Sequence, residues 1–123
     1  MEYAMTEFPS SLPGIDLPSA LARVVGNQQL YLKLLRRMAA ESRSTKDKLS
    51  SAIMEGDAEQ VRQIAHSLKG AAANLSLIDV AAAAEKLEKA VTARDASILA
   101  AEMAALESVL DAFVDVVNTL EGL

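Results

Sequence analysis

At 123 residues the chain is the size of one domain with a single hydrophobic core. It has no cysteine, which excludes disulfides and thiolate metal sites, and its net charge of −5 argues against nucleic acid as the main partner, because phosphate binding needs a basic face. Hydrophobic residues make up 51% of the chain but aromatics only 3%, so the core must be built from alanine, leucine and valine on closely spaced helices.

Residues 1–15 contain Pro9, Pro13 and Gly14, which break any periodicity, and read as a flexible N-terminal tail or linker ahead of a bundle domain over 16–123. Glu2 and Glu7 stand where a secretory signal would be basic, and no apolar run reaches the ~18–20 residues of a membrane span. A cytoplasmic domain without membrane insertion is expected. Asp16 before Leu17-Pro18 is a good N-cap with proline in the first turn, opening a short helix to about Val25. Gly26-Asn27 ends that helix and caps the next.

The second predicted helix runs from about Gln28 to Glu55, with Leu30, Leu34, Met38, Thr45, Leu49 and Ala52 on its core side. Leu32 falls off this stripe and is expected at the surface, and Ser42, Ser44 and Thr45 are weak helix formers that allow a bend. Gly56-Asp57 is the clearest boundary, with glycine closing one helix and Asp57 capping the next, predicted over Ala58 to Leu75. Asp79 is expected to cap a fourth helix containing Val80, Ala83, Ala84, Leu87 and Val91. Asp95 caps a fifth, with Leu99, Met103, Leu106, Leu110, Phe113, Val117 and Leu120 as its core stripe.

Charge is unevenly spread. Lys33, Arg36, Arg37, Arg43, Lys46 and Lys48 lie on the second helix, whereas residues 96–123 carry Glu102, Glu107, Asp111, Asp115 and Glu121 and no lysine or arginine. These read as solvated faces of neighbouring helices, the alternative being a basic docking strip. Four long amphipathic segments with short connections and no strand pattern predict an all-α fold, an antiparallel up-down four-helix bundle with a short additional N-terminal helix.

The only histidine, His66, lies on the third predicted helix, where Val61, Ile64, Leu68, Ala72 and Leu75 form a narrow core-facing stripe. His66 falls nearly opposite that stripe, with Arg62 and Gln63 one turn before it, Lys69 and Gly70 one turn after, and Ala73 two turns after. Glycine in a helix interior costs about 1 kcal/mol relative to alanine, and this helix is otherwise alanine-rich. A side chain at 70 would lean over the turn before it, toward His66, so Gly70 clears an approach to the ring.

The run His66-Ser67-Leu68-Lys69-Gly70, with small residues up to Asn74-Leu75 and Leu87-Glu88 a helix later, resembles the histidine-containing phosphotransfer (HPt) domains of two-component phosphorelays. Leu12-Pro13-Gly14-Ile15-Asp16 and Gly26-Asn27-Gln28-Gln29-Leu30-Tyr31 extend the likeness from about Leu12 to Asp95. Two positions depart from the family pattern: Ser76 stands where glycine is common, and Ala73 where a second small residue, often glycine, is found.

The resemblance implies a phosphorelay intermediate in which His66 accepts a phosphoryl group from a receiver-domain aspartate and passes it to another. Lys69 would stabilise the phosphoryl charge, and Gly70, Ala73, Gln63 and Arg62 would form the receiver docking surface. An exposed imidazole has a largely free lone pair at neutral pH, and phosphoryl transfer asks of a protein mainly positioning and charge stabilisation. The chain has no Gly-x-x-x-x-Gly-Lys-Ser/Thr loop and no evident carboxylate cluster near His66. It is therefore expected to be a phosphocarrier without an ATP site and not itself an enzyme. No cofactor is expected in the chain, and Mg²⁺ would be supplied by the receiver. The chain is expected to be monomeric, either free-standing or part of a hybrid sensor histidine kinase. The alternative is a helical adaptor or interaction bundle in which the histidine takes no phosphoryl group.

Overall fold

The protein, described from a computed structural model covering residues 8–123, is all-α. Its helices are α1 (Leu17–Arg23), α2 (Gln28–Met54), α3 (Ala58–Asn74), α4 (Ile78–Ala93) and α5 (Ala96–Asn118). Connections of two or three residues join α2 to α5 in series, which makes consecutive helices antiparallel neighbours. Helix α4 packs on both α3 and α5, and α2 closes the bundle against α3 and α5, while α1 rests on α2. The predicted architecture is the one observed. No helix among the described residues is long and apolar enough to cross a membrane.

Among the described residues, helix starts follow the side-chain chemistry at four of the five N-termini. Asp16, Asn27, Asp57 and Asp95 each accept a hydrogen bond from a backbone N–H in the following turn, at 3.2, 3.0, 3.0 and 2.9 Å. The end of α2 is a paired-carbonyl turn around Gly56, whose φ is +70°, with Asp57 N–H donating to the Ala52 carbonyl.

Helix α4 starts differently from the expectation. It begins at Ile78, so Asp79 lies in the first turn and is not the cap. Leu77 occupies the cap position without a side-chain bond, and the Asp79 N–H instead donates to the Gly14 carbonyl at 3.2 Å. The N-terminal segment thus satisfies a helix-end donor that a cap would otherwise take.

That contact also corrects the reading of residues 8–15 as tail. Residues 1–7, including Glu2 and Glu7, lie outside the described residues, but the segment from Leu12 onward packs against the core and the α3–α4 connection. Leu12 is buried in the core, Ile15 bridges Leu77, and Asp16 N–H donates to the Ser76 carbonyl at 2.9 Å. A Cβ at Gly14 would come within 2.7 Å of the Asp79 carboxylate, and its φ of +73° disfavours any side chain.

The α2 stripe is the predicted one from Met38 to Ala52, but in the first two turns Tyr31 and Leu35 take the places expected for Leu30 and Leu34. Tyr31, Leu35, Ser42, Leu49 and Ala52 are buried, with Met38 and Thr45 partly so, which is a repeat of alternating three- and four-residue steps. Leu30 is 40% exposed, whereas Leu32, expected at the surface, is 1% exposed. One turn beyond Leu32 the Arg36 guanidinium donates to the Leu120 carbonyl, so the turn that follows α5 covers this side of α2. The helix runs unbroken through 42–46, where the Ser42 and Thr45 hydroxyls donate to the Met38 and Glu41 carbonyls. The basic and acidic faces meet across α2 and α5, with Lys46 pairing with Asp111 at 2.5 Å.

Ser76, the first of the two departures, holds the left-handed position after α3, with φ +57°. Ser76 N–H donates to the Ala73 carbonyl and Leu77 N–H to that of Ala72, a Schellman ending that glycine usually occupies. Its hydroxyl reaches the Ser19 hydroxyl at a long 3.3 Å. Ser76→Gly is therefore expected to stabilise the protein by about 0.5–1 kcal/mol, since the left-handed cost removed exceeds a weak hydrogen bond. Thermal unfolding checks this, and a lower melting temperature would show the Ser76–Ser19 contact to be the stronger term.

Candidate functional site

Helix α3 buries Val61, Ala65, Leu68 and Ala72. Ile64 and Leu75 lie at the margins of that stripe, half-buried against the core. This seam turns His66 outward, with its side chain 61% exposed. Gln63, His66, Gly70 and Ala73, at three- and four-residue steps, form one exposed row along the helix.

Gly70 opens the surface as its position predicts: a Cβ built there would meet nothing within 4 Å. Close helix packing therefore does not explain the glycine. Gln63 donates to Glu59 at 3.2 Å and lines a groove of about 390 Å³ between α2 and α3. Arg62 and Lys69 sit on the other side of the row, toward α4. The predicted docking residues are thus divided, with Gln63, Gly70 and Ala73 beside the histidine in its own row and Arg62 facing the neighbouring helix.

What joins Arg62, His66 and Lys69 is Glu88 of α4, to which the sequence reading gave no role. Its side chain is only 19% exposed, and its Oε2 lies 2.9 Å from His66 Nδ1. Its Oε1 is 3.0 Å from Lys69 Nζ, and the Arg62 guanidinium lies 4.0 Å from Oε2 while bonded to Glu59 at 2.6 Å. Hydrogen bonding from Lys69, and then from His66, holds the Glu88 carboxyl below the usual carboxylate range against the opposing effect of desolvation.

An ionised carboxylate only accepts, so Nδ1 carries the proton in this contact. In the neutral ring the lone pair is then on Nε2, the nitrogen not committed to Glu88. The signal for Glu88 was present in the sequence: it follows Leu87 at the edge of the α4 core stripe, where a long side chain reaches the rim of the α3 contact.

Among the described residues, no group of three or more His, Asp or Glu side chains is placed to hold a metal ion.

The chain belongs to the Hpt domain family, which matches residues 33–118, more than half of its length. Its fold is similar to the crystal structure of the HPT domain from the Hpt sensor hybrid histidine kinase of Shewanella, at 17% identity and a TM-score of 0.66. That similarity covers 89% of this chain and 97% of the other. No curated protein matches the sequence. Hpt domains are phosphocarriers of two-component phosphorelays that interact with receiver domains, and this chain therefore has a phosphotransfer role.

Proposed function

We propose that His66 is the phosphoacceptor, taking a phosphoryl group from a receiver-domain aspartyl phosphate and passing it to a second receiver aspartate. The observation that carries this reading is the orientation of the ring: it is exposed, bonded through Nδ1 to Glu88, and beside the open surface at Gly70. In the incoming step, the Nε2 lone pair attacks phosphorus and the bond from phosphorus to the aspartyl oxygen breaks. The aspartate leaves as a carboxylate, the Nδ1 proton stays, and the phosphorylated ring carries a positive charge. The outgoing step is the reverse, onto another aspartate.

The Mg²⁺ that assists at the aspartate belongs to the receiver. Gln63, Gly70 and Ala73 lie where a receiver must rest to bring its aspartate to Nε2, and Arg62 borders that surface on the α4 side. The domain acts as a monomer, within a hybrid kinase or alongside one. Incubation with a phosphorylated receiver tests the reading. Label that appears on the chain and is acid-labile and base-stable supports it, whereas no label marks the bundle as an interaction module.

Lys69 lies one turn from His66, and its flexible stem lets the ammonium move from Glu88 to a phosphoryl oxygen. Lys69→Ala is expected to slow transfer by the loss of a charged hydrogen bond, about 1–3 kcal/mol or roughly 5- to 150-fold. Melting should change little, because the Lys69 ammonium lies at the edge of the site in reach of solvent and Glu88 keeps His66. Single-turnover transfer measured alongside thermal unfolding checks both. An unchanged rate would reduce Lys69 to a surface charge.

A further inference from the structure

We infer that Glu88 is a positioning residue that keeps the Nδ1 proton on His66 through the phosphorylated state, so that the phosphoryl group departs from a neutral imidazole. The inference rests on the proposed role of His66 and assigns chemistry to a residue outside the His-x-x-Lys-Gly run.

Phosphorylation of Nε2 leaves a ring that is positive while Nδ1 is protonated. When the Nε2–P bond breaks, its electron pair returns to Nε2, and with Nδ1 protonated the leaving group is neutral imidazole. Loss of the Nδ1 proton beforehand would make the leaving group an imidazolate, which is far poorer. A carboxylate 2.9 Å from Nδ1 favours the protonated, transfer-competent ring. In the unphosphorylated protein Glu88 is held in its charged form by Lys69 at 3.0 Å, with the Arg62 guanidinium 4.0 Å away; once Lys69 turns to the phosphoryl group, the positive ring itself is the partner that keeps the carboxylate at Nδ1.

Other charged groups are less directly placed. On α4, Glu85 and Lys89 are exposed and pair with each other at 3.5 Å. On α3, Glu59 is taken by Arg62 and Gln63. On α2, Glu41 and Lys48 line the groove on the far side of α3, by Ser67.

The test needs no receiver. Phosphoramidate transfers its phosphoryl group to an accessible imidazole and leaves as ammonia, so wild-type and Glu88→Gln proteins are loaded with it and the phosphohistidine is followed by phosphorus NMR across a pH series. Hydrolysis transfers the group to water and regenerates the neutral ring with its Nδ1 proton. Decay should therefore fall away as pH rises through deprotonation of the phosphorylated ring. Glutamine retains an acceptor oxygen and loses the charge, so the midpoint for Glu88→Gln should lie about one pH unit lower. Coincident midpoints would overturn the inference.

Nitrogen NMR of the unphosphorylated ring at alkaline pH is the second readout. The proton should be on Nδ1 in the wild type and move largely to Nε2 in Glu88→Ala; a wild-type proton on Nε2 also overturns the inference. Should phosphoramidate load His66 while phosphorylated receivers do not, the relay reading fails and the ring chemistry stands.

Discussion

His66→Gln should abolish uptake of label from a phosphorylated receiver while leaving the helical signal and melting temperature nearly unchanged. The two halves have separate causes. Glutamine has no nitrogen lone pair available for attack on phosphorus, and His66 is the only histidine, so loss should exceed about a thousandfold and approach background. The stability half follows from exposure. The ring is 61% exposed and no core residue depends on it, and exposed substitutions outside caps and strained positions usually fall within about 0.5 kcal/mol. Its one specific contact, with Glu88, is replaceable, since a glutamine amide can donate to the same carboxylate. Wild-type labelling in the variant would remove His66 from the mechanism, and a melting temperature lowered by many degrees would show the ring to be structural.

The elements most legible in the sequence were those where local chemistry and helical period agree. Helix α3 is the clearest case, because Asp57 caps it, Gly56 closes the helix before it, and Val61, Leu68 and Ala72 mark a single seam. The exposure of His66 followed from that seam alone. Helix α2 was harder, since Leu30, Tyr31, Leu32, Leu34 and Leu35 spread apolar residues over more than half the circumference of its first two turns. Which of them is buried is decided by neighbours far along the chain. The Tyr31 hydroxyl donates to the Leu75 carbonyl at 2.6 Å, and burial pushes its pKa up to about 12. Leu32 is covered from the α5 end.

The same limit hid the start of α4 and the central role of Glu88. Asp79 is a good cap residue, but the helix starts two positions earlier with Leu77 at the cap, and the Asp79 N–H that a polar side chain at 77 would have capped is met by Gly14, more than sixty positions earlier in sequence. Proline and glycine in residues 8–15 signal irregular backbone, and irregular backbone can still be packed, as Leu12 is. Glu88 lies 22 residues from His66, and its carboxylate becomes part of the site only when α4 lies antiparallel on α3. Helical period says which face a residue is on. The pairing of faces from different helices is a tertiary fact.

Stability and transfer are expected to move in opposite directions at Gly70. Gly70→Ala places the best helix former where the poorest ordinary one stands, and an added Cβ has open space around it. The protein should therefore gain about 0.5–1 kcal/mol. Leucine is nearly as good a helix former, so Gly70→Leu should also fold at least as well as the wild type. Both side chains lean over the turn that carries His66, and the longer one leans further. A receiver must bring an aspartyl phosphate to within bonding distance of Nε2, so each added carbon on this row holds it away. Transfer should fall from glycine to alanine to leucine, and the leucine variant should lose at least about tenfold, a cost of roughly 1.4 kcal/mol in the transition state. Melting temperatures and receiver-to-His66 transfer rates on the three proteins decide between two explanations of the glycine. If alanine lowers the melting temperature, glycine serves the backbone of α3; if leucine transfers as fast as the wild type, no partner uses the surface that Gly70 leaves open.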